Sequence, residues 1–134
     1  MKIYFAKAIT GYPNNRRDLF EFIKYFKKYG EVTDEAADWN GEDIHLTAEE
    51  IHDRDLKWLQ DADVLIAEVT NKSLGVGYEI GRATELKKKI LCLCRLQKDK
   101  RISPIIEGSR ELVFKEYNNL DEAFRFIDDF LKEE

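Results

Sequence analysis

The chain has 134 residues, 43% hydrophobic and 37% charged, a balance that suits one globular domain and excludes a disordered chain. Its 22 Lys and Arg stand against 27 Asp and Glu, a formal charge of −5, the wrong sign for gripping a nucleic-acid backbone. No apolar run approaches the roughly 20 residues of a membrane span, and the apolar part of Met1–Lys7 is too short for a signal peptide.

Ile3–Ala6 reads as a first strand. Asn14 or Asn15 can cap a helix to about Tyr29, with Leu19, Phe22, Ile23, Phe26 and Tyr29 on one face. Gly30 stops it, Val32-Thr33 opens a short second strand, and residues 36–46 are polar loop. Thr47-Ala48-Glu49-Glu50 is a capping box that starts a helix to about Gln60. Val64–Val69 is a nearly continuous apolar run, as in a strand buried on both faces. Gly75-Val76-Gly77 leads into a helix to about Lys88, where Lys87-Lys88-Lys89 complements the helix dipole as solvated surface. Ile90–Leu93 is the next buried strand. Ser103-Pro104 starts a short helical turn, Leu112-Val113-Phe114 is a last strand in the core, and Asn119 caps a closing helix. That helix carries Phe124, Ile127, Phe130 and Leu131 on its apolar face. Strands and helices alternate throughout. The chain is therefore predicted to be a single α/β domain over 1–134, a five-stranded parallel sheet with helices on both faces, flavodoxin- or Rossmann-like. The ligand crevice of such a sheet lies beyond the carboxyl ends of the strands. The segments to search are Lys7–Tyr12, Thr33–Asp38, Thr70–Glu79 and Arg95–Ser103.

Two carboxylates stand out. Glu79 lies about a turn into the helix after the central strand, where the helix N-terminus favours the ionised form and the glycines allow close approach of a ligand. An ordinary acidic residue complementing the helix dipole would look the same. Asp55 falls within the apolar stripe Ile51, Trp58, Leu59 and Ala62, where a carboxylate is costly unless paired or working. Its structural alternative is an ion pair with Arg54 or Arg82. Two convergent carboxylates suit acid–base or glycosyl chemistry. Asp61 and Asp63 precede a strand, at the wrong end of the sheet, and read as turn residues. His45 and His52 supply neither a zinc spacing nor a nucleophile–histidine arrangement, so no metal is expected. Cys92 and Cys94 are expected on opposite faces of a strand, unable to bridge, as core thiols of a reducing cytoplasm. Gly75-Val76-Gly77 lacks the lysine and hydroxyl residue of a P-loop.

The stretches Asp55–Val64, Ala67–Ala83 and Ile90–Leu93, above all Ser73-Leu74-Gly75-Val76-Gly77-Tyr78-Glu79-Ile80-Gly81-Arg82-Ala83, resemble the 2'-deoxynucleoside 5'-phosphate N-hydrolases of the nucleoside 2-deoxyribosyltransferase superfamily. The resemblance runs from Ile3 to about Gly108. It implies that Glu79 is a nucleophile for the anomeric carbon, that Asp55 is the acid assisting the leaving base, and that Tyr4 lines the site. It further implies that Ser73 and Ser103 hold the 5'-phosphate, Ser103 from the second subunit of a homodimer, and that Gly75 and Gly77 shape the loop under the sugar. The family's first loop usually reads G-S-I-R-G, and here it reads Lys7-Ala8-Ile9-Thr10-Gly11. Ile9 and Gly11 keep the loop's phosphate-binding backbone, while Ala8 and Thr10 replace a serine and an arginine, with Lys7, Arg16 or Arg17 as candidate sources of the missing charge. A histidine common after the second strand is Ala36 here. The expected protein is a cytoplasmic hydrolase of nucleoside 5'-monophosphates that forms a covalent glycosyl-enzyme on Glu79 and needs no cofactor. It would have no nucleic-acid polymer or membrane as partner. A deoxyribosyltransferase and a nucleotide-binding module without chemistry are the alternatives.

Overall fold

A computed structural model describes residues 1–8, 16–33, 45–98 and 102–132, with Arg16 by its backbone alone. The expectations placed on Ile9, Thr10, Gly11, Asn14, Asn15, Ala36 and the Arg16 side chain lie outside the described residues. In chain order the elements are β1 (Lys2–Lys7), α1 (Arg16–Phe26), β2 (Glu31–Thr33), α2 (Ala48–Asp61), β3 (Val64–Glu68), α3 (Leu74–Glu85), β4 (Lys89–Arg95), α4 (Pro104–Glu107), β5 (Val113–Tyr117) and α5 (Leu120–Lys132). The five strands pair in parallel in the order β2-β1-β3-β4-β5, the doubly wound arrangement predicted from the alternation.

That order decides which helix covers which face. The crossover from β1 to β2 runs one way along the sheet, and those from β2 to β3 and β3 to β4 run the other way. Parallel crossovers are right-handed, so α1 must lie on one face and α2 and α3 on the opposite one. The core divides accordingly. Ile3, Phe5, Val64, Ile66, Leu91 and Leu93 pack against α1 and α5. Tyr4, Ala6, Leu65, Ala67, Ile90 and Cys92 pack against α2 and α3. The winding reverses between β1 and β3, which opens the crevice at their carboxyl ends.

The caps follow local chemistry. Thr47 and Glu50 close the capping box at the start of α2, through Glu50 N–H to Thr47 Oγ1 at 3.1 Å and Thr47 N–H to Glu50 Oε1 at 2.9 Å. Asn119 Oδ1 accepts from Glu122 N–H at 2.9 Å at the start of α5. Gly30 is needed for space, since a Cβ there would meet the Met1 carbonyl oxygen at 2.0 Å, in the corner where Glu31 N–H donates to that oxygen.

Several expectations are corrected. The first helix ends at Phe26, and Tyr29 sits in the turn after it. Gly75 and Gly77 stand inside the first turns of α3 and do not precede it, and α3 ends at Glu85. Lys87 takes the left-handed conformation at φ 57°, and Lys88 N–H reaches back to the Ala83 carbonyl. Lys88 is not idle surface, because its ammonium donates at 2.7 Å to the carbonyls of Gln60 and Ala62 and so caps α2. Val113 is exposed on the edge strand β5, and Tyr117 is the residue that strand buries. Cys92 and Cys94 are two residues apart on one strand. They therefore share a face, both beside the α2 and α3 cluster, and both are free. Among the described residues no helix is long and apolar enough to cross a membrane.

Candidate active site

Tyr4 is fully buried in β1, in register with Thr33 on β2 and Leu65 on β3, where the winding of the sheet reverses. Strand alternation turns its ring toward α2 and α3. Glu79 stands in the second turn of α3. Its Oε2 accepts a short hydrogen bond from the Tyr4 hydroxyl. The sheet and α3 thus bring together two residues 75 positions apart in sequence.

Ser73 is the N-cap of α3. Its Oγ accepts from Val76 N–H at 3.2 Å, and an oxygen that caps with a lone pair keeps its own proton to donate. A Cβ added at Gly77 would meet nothing within 4 Å, and one at Gly75 only Ser73 Oγ at 3.8 Å. The first turns of α3 therefore offer bare backbone beside open space, with the positive end of the helix dipole alongside.

Asp55 lies on α2, its side chain 20% exposed, on the side of the sheet that Tyr4 faces. Arg54 donates to its Oδ1 through Nε and Nη2, each at 2.9 Å, and the same guanidinium lies 4.7 Å over the Trp58 ring. The pairing is with Arg54 and not Arg82, which donates to the Tyr78 hydroxyl at 2.7 Å. His52 is exposed and contacts Asp53 and Tyr78.

Ser103 is exposed at the start of the four-residue α4, and its side chain makes no cap hydrogen bond there. Lys7 is buried, not a surface cation, and it projects to the face opposite Tyr4, its ammonium 5.4 Å from the Phe5 ring centroid. The strand register sets this, since Lys7 shares the parity of Ile3 and Phe5. It does not join the Tyr4–Glu79 pair.

The sequence reading missed a second polar cluster, across the sheet from that pair. Glu68 ends β3 and is 7% exposed. Its carboxylate accepts from the Tyr117 hydroxyl, from Thr70 N–H at 2.8 Å and from Thr70 Oγ1 at 2.9 Å. Burial pushes Glu68 above the ordinary glutamate value, against the pull of these donors and of Arg95. Arg95 is itself paired with Asp18 at 2.5 Å. The signal was a lone carboxylate within the apolar run Val64–Val69.

The polar groups paired at Tyr4 and Glu79 are a phenol and a carboxylate. Burial pushes the Cys92 thiol up to about 12 and Cys94 to about 11, so neither is a thiolate near neutrality. Among the described residues no group of three or more His, Cys, Asp and Glu is arranged to hold a metal ion.

The family described as nucleoside 2-deoxyribosyltransferase matches residues 3–120. A Trichoplax adhaerens protein, provisionally named 2'-deoxynucleoside 5'-phosphate N-hydrolase 1, is 41% identical over 131 residues, covering 96% of this chain and 91% of its own. The 5-hydroxymethyl-dUMP N-hydrolase of Tetraodon nigroviridis is 36% identical over 138 residues, covering 97% and 96%. The solved structure of a Clostridium botulinum CMP N-glycosidase superposes with a TM-score of 0.71 at 19% identity, over 97% of this chain and 99% of that one, a likeness of fold. A match over nearly the whole chain, shared with relatives at about two-fifths identity and seated on the same doubly wound sheet, means that this chain belongs to the nucleoside 2-deoxyribosyltransferase family.

Proposed function

We propose that the protein hydrolyses the N-glycosidic bond of a nucleoside 5'-monophosphate of the 2'-deoxy class, giving free base and sugar 5-phosphate. The observation that carries this reading is the hydrogen bond from the buried Tyr4 hydroxyl to Glu79 at the reversal point of the sheet. It orients one carboxylate oxygen and leaves the carboxylate a nucleophile held in a fixed pose. The names of the N-hydrolase relatives support the same bond as the one cleaved.

Glu79 attacks the anomeric carbon as the C–N bond breaks, and that bond's electron pair leaves with the base. Asp55 gives the departing base a proton. Water then attacks the same carbon, giving its proton to Asp55, and the ester C–O bond breaks to regenerate the carboxylate. Two displacements at one carbon follow the logic of a retaining glycosidase. The Tyr4 hydroxyl stabilises Glu79 as the leaving group of the second step. Bond cleavage and proton transfer are both within reach of carboxylates, so the scheme needs no metal or organic cofactor.

Ser73 donates its free hydroxyl proton to the 5'-phosphate over the bare backbone of Gly75 and Gly77. Ser103 reaches the phosphate of a second copy in a homodimer. Leu74 at 97% and Ile105 at 82% exposure, on α3 and α4, are apolar surface that such a dimer would cover.

A panel of nucleoside monophosphates and their free nucleosides, followed by chromatography for released base, tests the reading. The expected result is release from a deoxynucleoside 5'-monophosphate with higher kcat/KM than from its nucleoside. Glu79→Ala should lose several orders of magnitude in turnover, because no neighbouring group replaces the attacking oxygen. Equal use of the free nucleoside, or sugar transfer to an added second base that outpaces hydrolysis, would overturn the hydrolase assignment. An active, folded Glu79→Ala protein would sink the covalent step.

A further inference from the structure

A carboxylate buried at the end of β3 needs a physical reason. Burial of a charge is costly unless it is hydrogen-bonded, and an apolar side chain of similar size often fills such a place at no loss of stability. What an apolar side chain cannot do is hold the two donors of Thr70 at once, as Glu68 does through Thr70 N–H and Thr70 Oγ1.

Thr70 is tied on its other side as well. Its Oγ1 accepts from Arg95 N–H at 2.8 Å, so the hydroxyl donates to Glu68 while it accepts from the end of β4. Glu68 also receives the Tyr117 hydroxyl, from the end of β5. One carboxylate therefore joins the carboxyl ends of three strands at Thr70. The chain then turns through residues 71 and 72 to Ser73, whose Oγ caps α3, while α3 packs on the opposite face of the sheet through Val76, Ile80 and Ala83. The position of Ser73 and of the first turn of α3 depends on where Thr70 is held.

We propose that Glu68 is a positioning residue: from the far face of the sheet it fixes Thr70 and thereby the turn that presents Ser73 and the start of α3 to the substrate's phosphate. The proposal rests on the nucleotide reading above for what Ser73 touches, but not for the tether itself. Loss of the tether should weaken discrimination in favour of the 5'-monophosphate more than it weakens cleavage as such, because Tyr4 holds Glu79 independently from β1.

The test uses Glu68→Gln, with Thr70→Val as a second variant if the first fails to fold and Thr70→Ser as the conservative rescue. Amide hydrogen exchange of the ligand-free proteins is read first. Faster exchange confined to residues 70–76, with β1 and β3 unchanged, is expected for Glu68→Gln and Thr70→Val and not for Thr70→Ser. Exchange unchanged at 70–76, or raised through the whole sheet, overturns the tether. The kinetic arm compares kcat/KM for a deoxynucleoside 5'-monophosphate with that for its free nucleoside. The expected result is about a tenfold fall in this ratio, carried by KM for the monophosphate. A variant whose ratio matches the unaltered protein, with both rates merely scaled down, overturns the positioning role. If the unaltered protein releases no base from any nucleotide, the proposed function falls instead, and the exchange arm still decides whether Glu68 holds the turn.

Discussion

At Tyr4 a fully buried ring carries one polar atom, and a buried hydroxyl left without a partner costs about 1–3 kcal/mol. The bond to Glu79 removes that cost and orients the carboxylate. Tyr4→Phe should therefore fold normally and lose roughly 10- to 100-fold in kcat/KM, the worth of a hydrogen bond to a charged group, as measured by release of base. Asp55 has a different neighbourhood, because Arg54 holds its Oδ1 twice. Asp55→Asn keeps size but cannot donate a carboxylic proton, so it should slow the poorest leaving bases most. Full rate on every base would make Asp55 a structural partner of Arg54. The stripe of Ile51, Trp58 and Leu59 around Asp55 made this residue legible in sequence. The Tyr4–Glu79 bond was not legible from spacing, because contact across 75 positions needs the sheet to bring β1 and α3 together.

Among the elements, α3 shows a conflict between stability and function. Glycine in a helix costs about 0.5–1 kcal/mol relative to alanine, yet Gly77 sits within α3, where a Cβ would meet nothing within 4 Å. Packing therefore does not require the glycine. Gly77→Ala should raise the unfolding free energy in urea by about that amount while raising KM for the monophosphate, because the methyl group would enter the open space that the proposed reading gives to substrate. A stabilised variant with unchanged KM would show that the space serves nothing. The glycines were visible in sequence as a motif, but their position inside the helix was not. Ser73 starts α3 earlier than the glycines suggest because its Oγ caps Val76. The middle of the lysine run likewise has a role that spacing hides, since Lys88 serves the end of α2, which only the packing of α2 beside α3 brings within reach.

For the whole molecule, two carboxylates on one face of the sheet carry opposite pH behaviour. On the α1 and α5 side, burial pushes Asp128 upward, but the hydroxyls of Tyr29 and Tyr25, with Lys132 and Lys28, outweigh it and hold the carboxyl below its ordinary 3.8. A depressed carboxylate contributes stability above the unfolded value and loses it as pH falls through the lower, folded value. Asp128→Asn should therefore cost about 1–2 kcal/mol in urea unfolding at neutral pH, and the cost should shrink once pH falls below that folded value. A penalty constant with pH would assign the loss to packing. Glu68, pushed above its ordinary 4.5, has the reverse sign, since its ionisation costs stability as pH rises past that value. At the same scale, the proposed homodimer predicts that mixing inactive Glu79→Ala subunits with inactive Ser103→Ala subunits restores part of the activity through hybrid sites. A monomer by light scattering at assay concentration would end that expectation.

Local and periodic features were determined by sequence alone. The capping box at Thr47, the Asn119 cap, the alternation of strand and helix and the stripe around Asp55 all rest on interactions within a few residues, and such interactions are written in the spacing. Family membership was legible for the same reason, through one continuous run from Ser73 to Ala83. Tertiary structure alone decided which faces the residues share. It turned Lys7 away from Tyr4 and gathered Glu68, Thr70, Arg95 and Tyr117 from the ends of three strands. Strand order and the right-handed crossover set those meetings, and neither leaves a mark in the spacing of nearby residues.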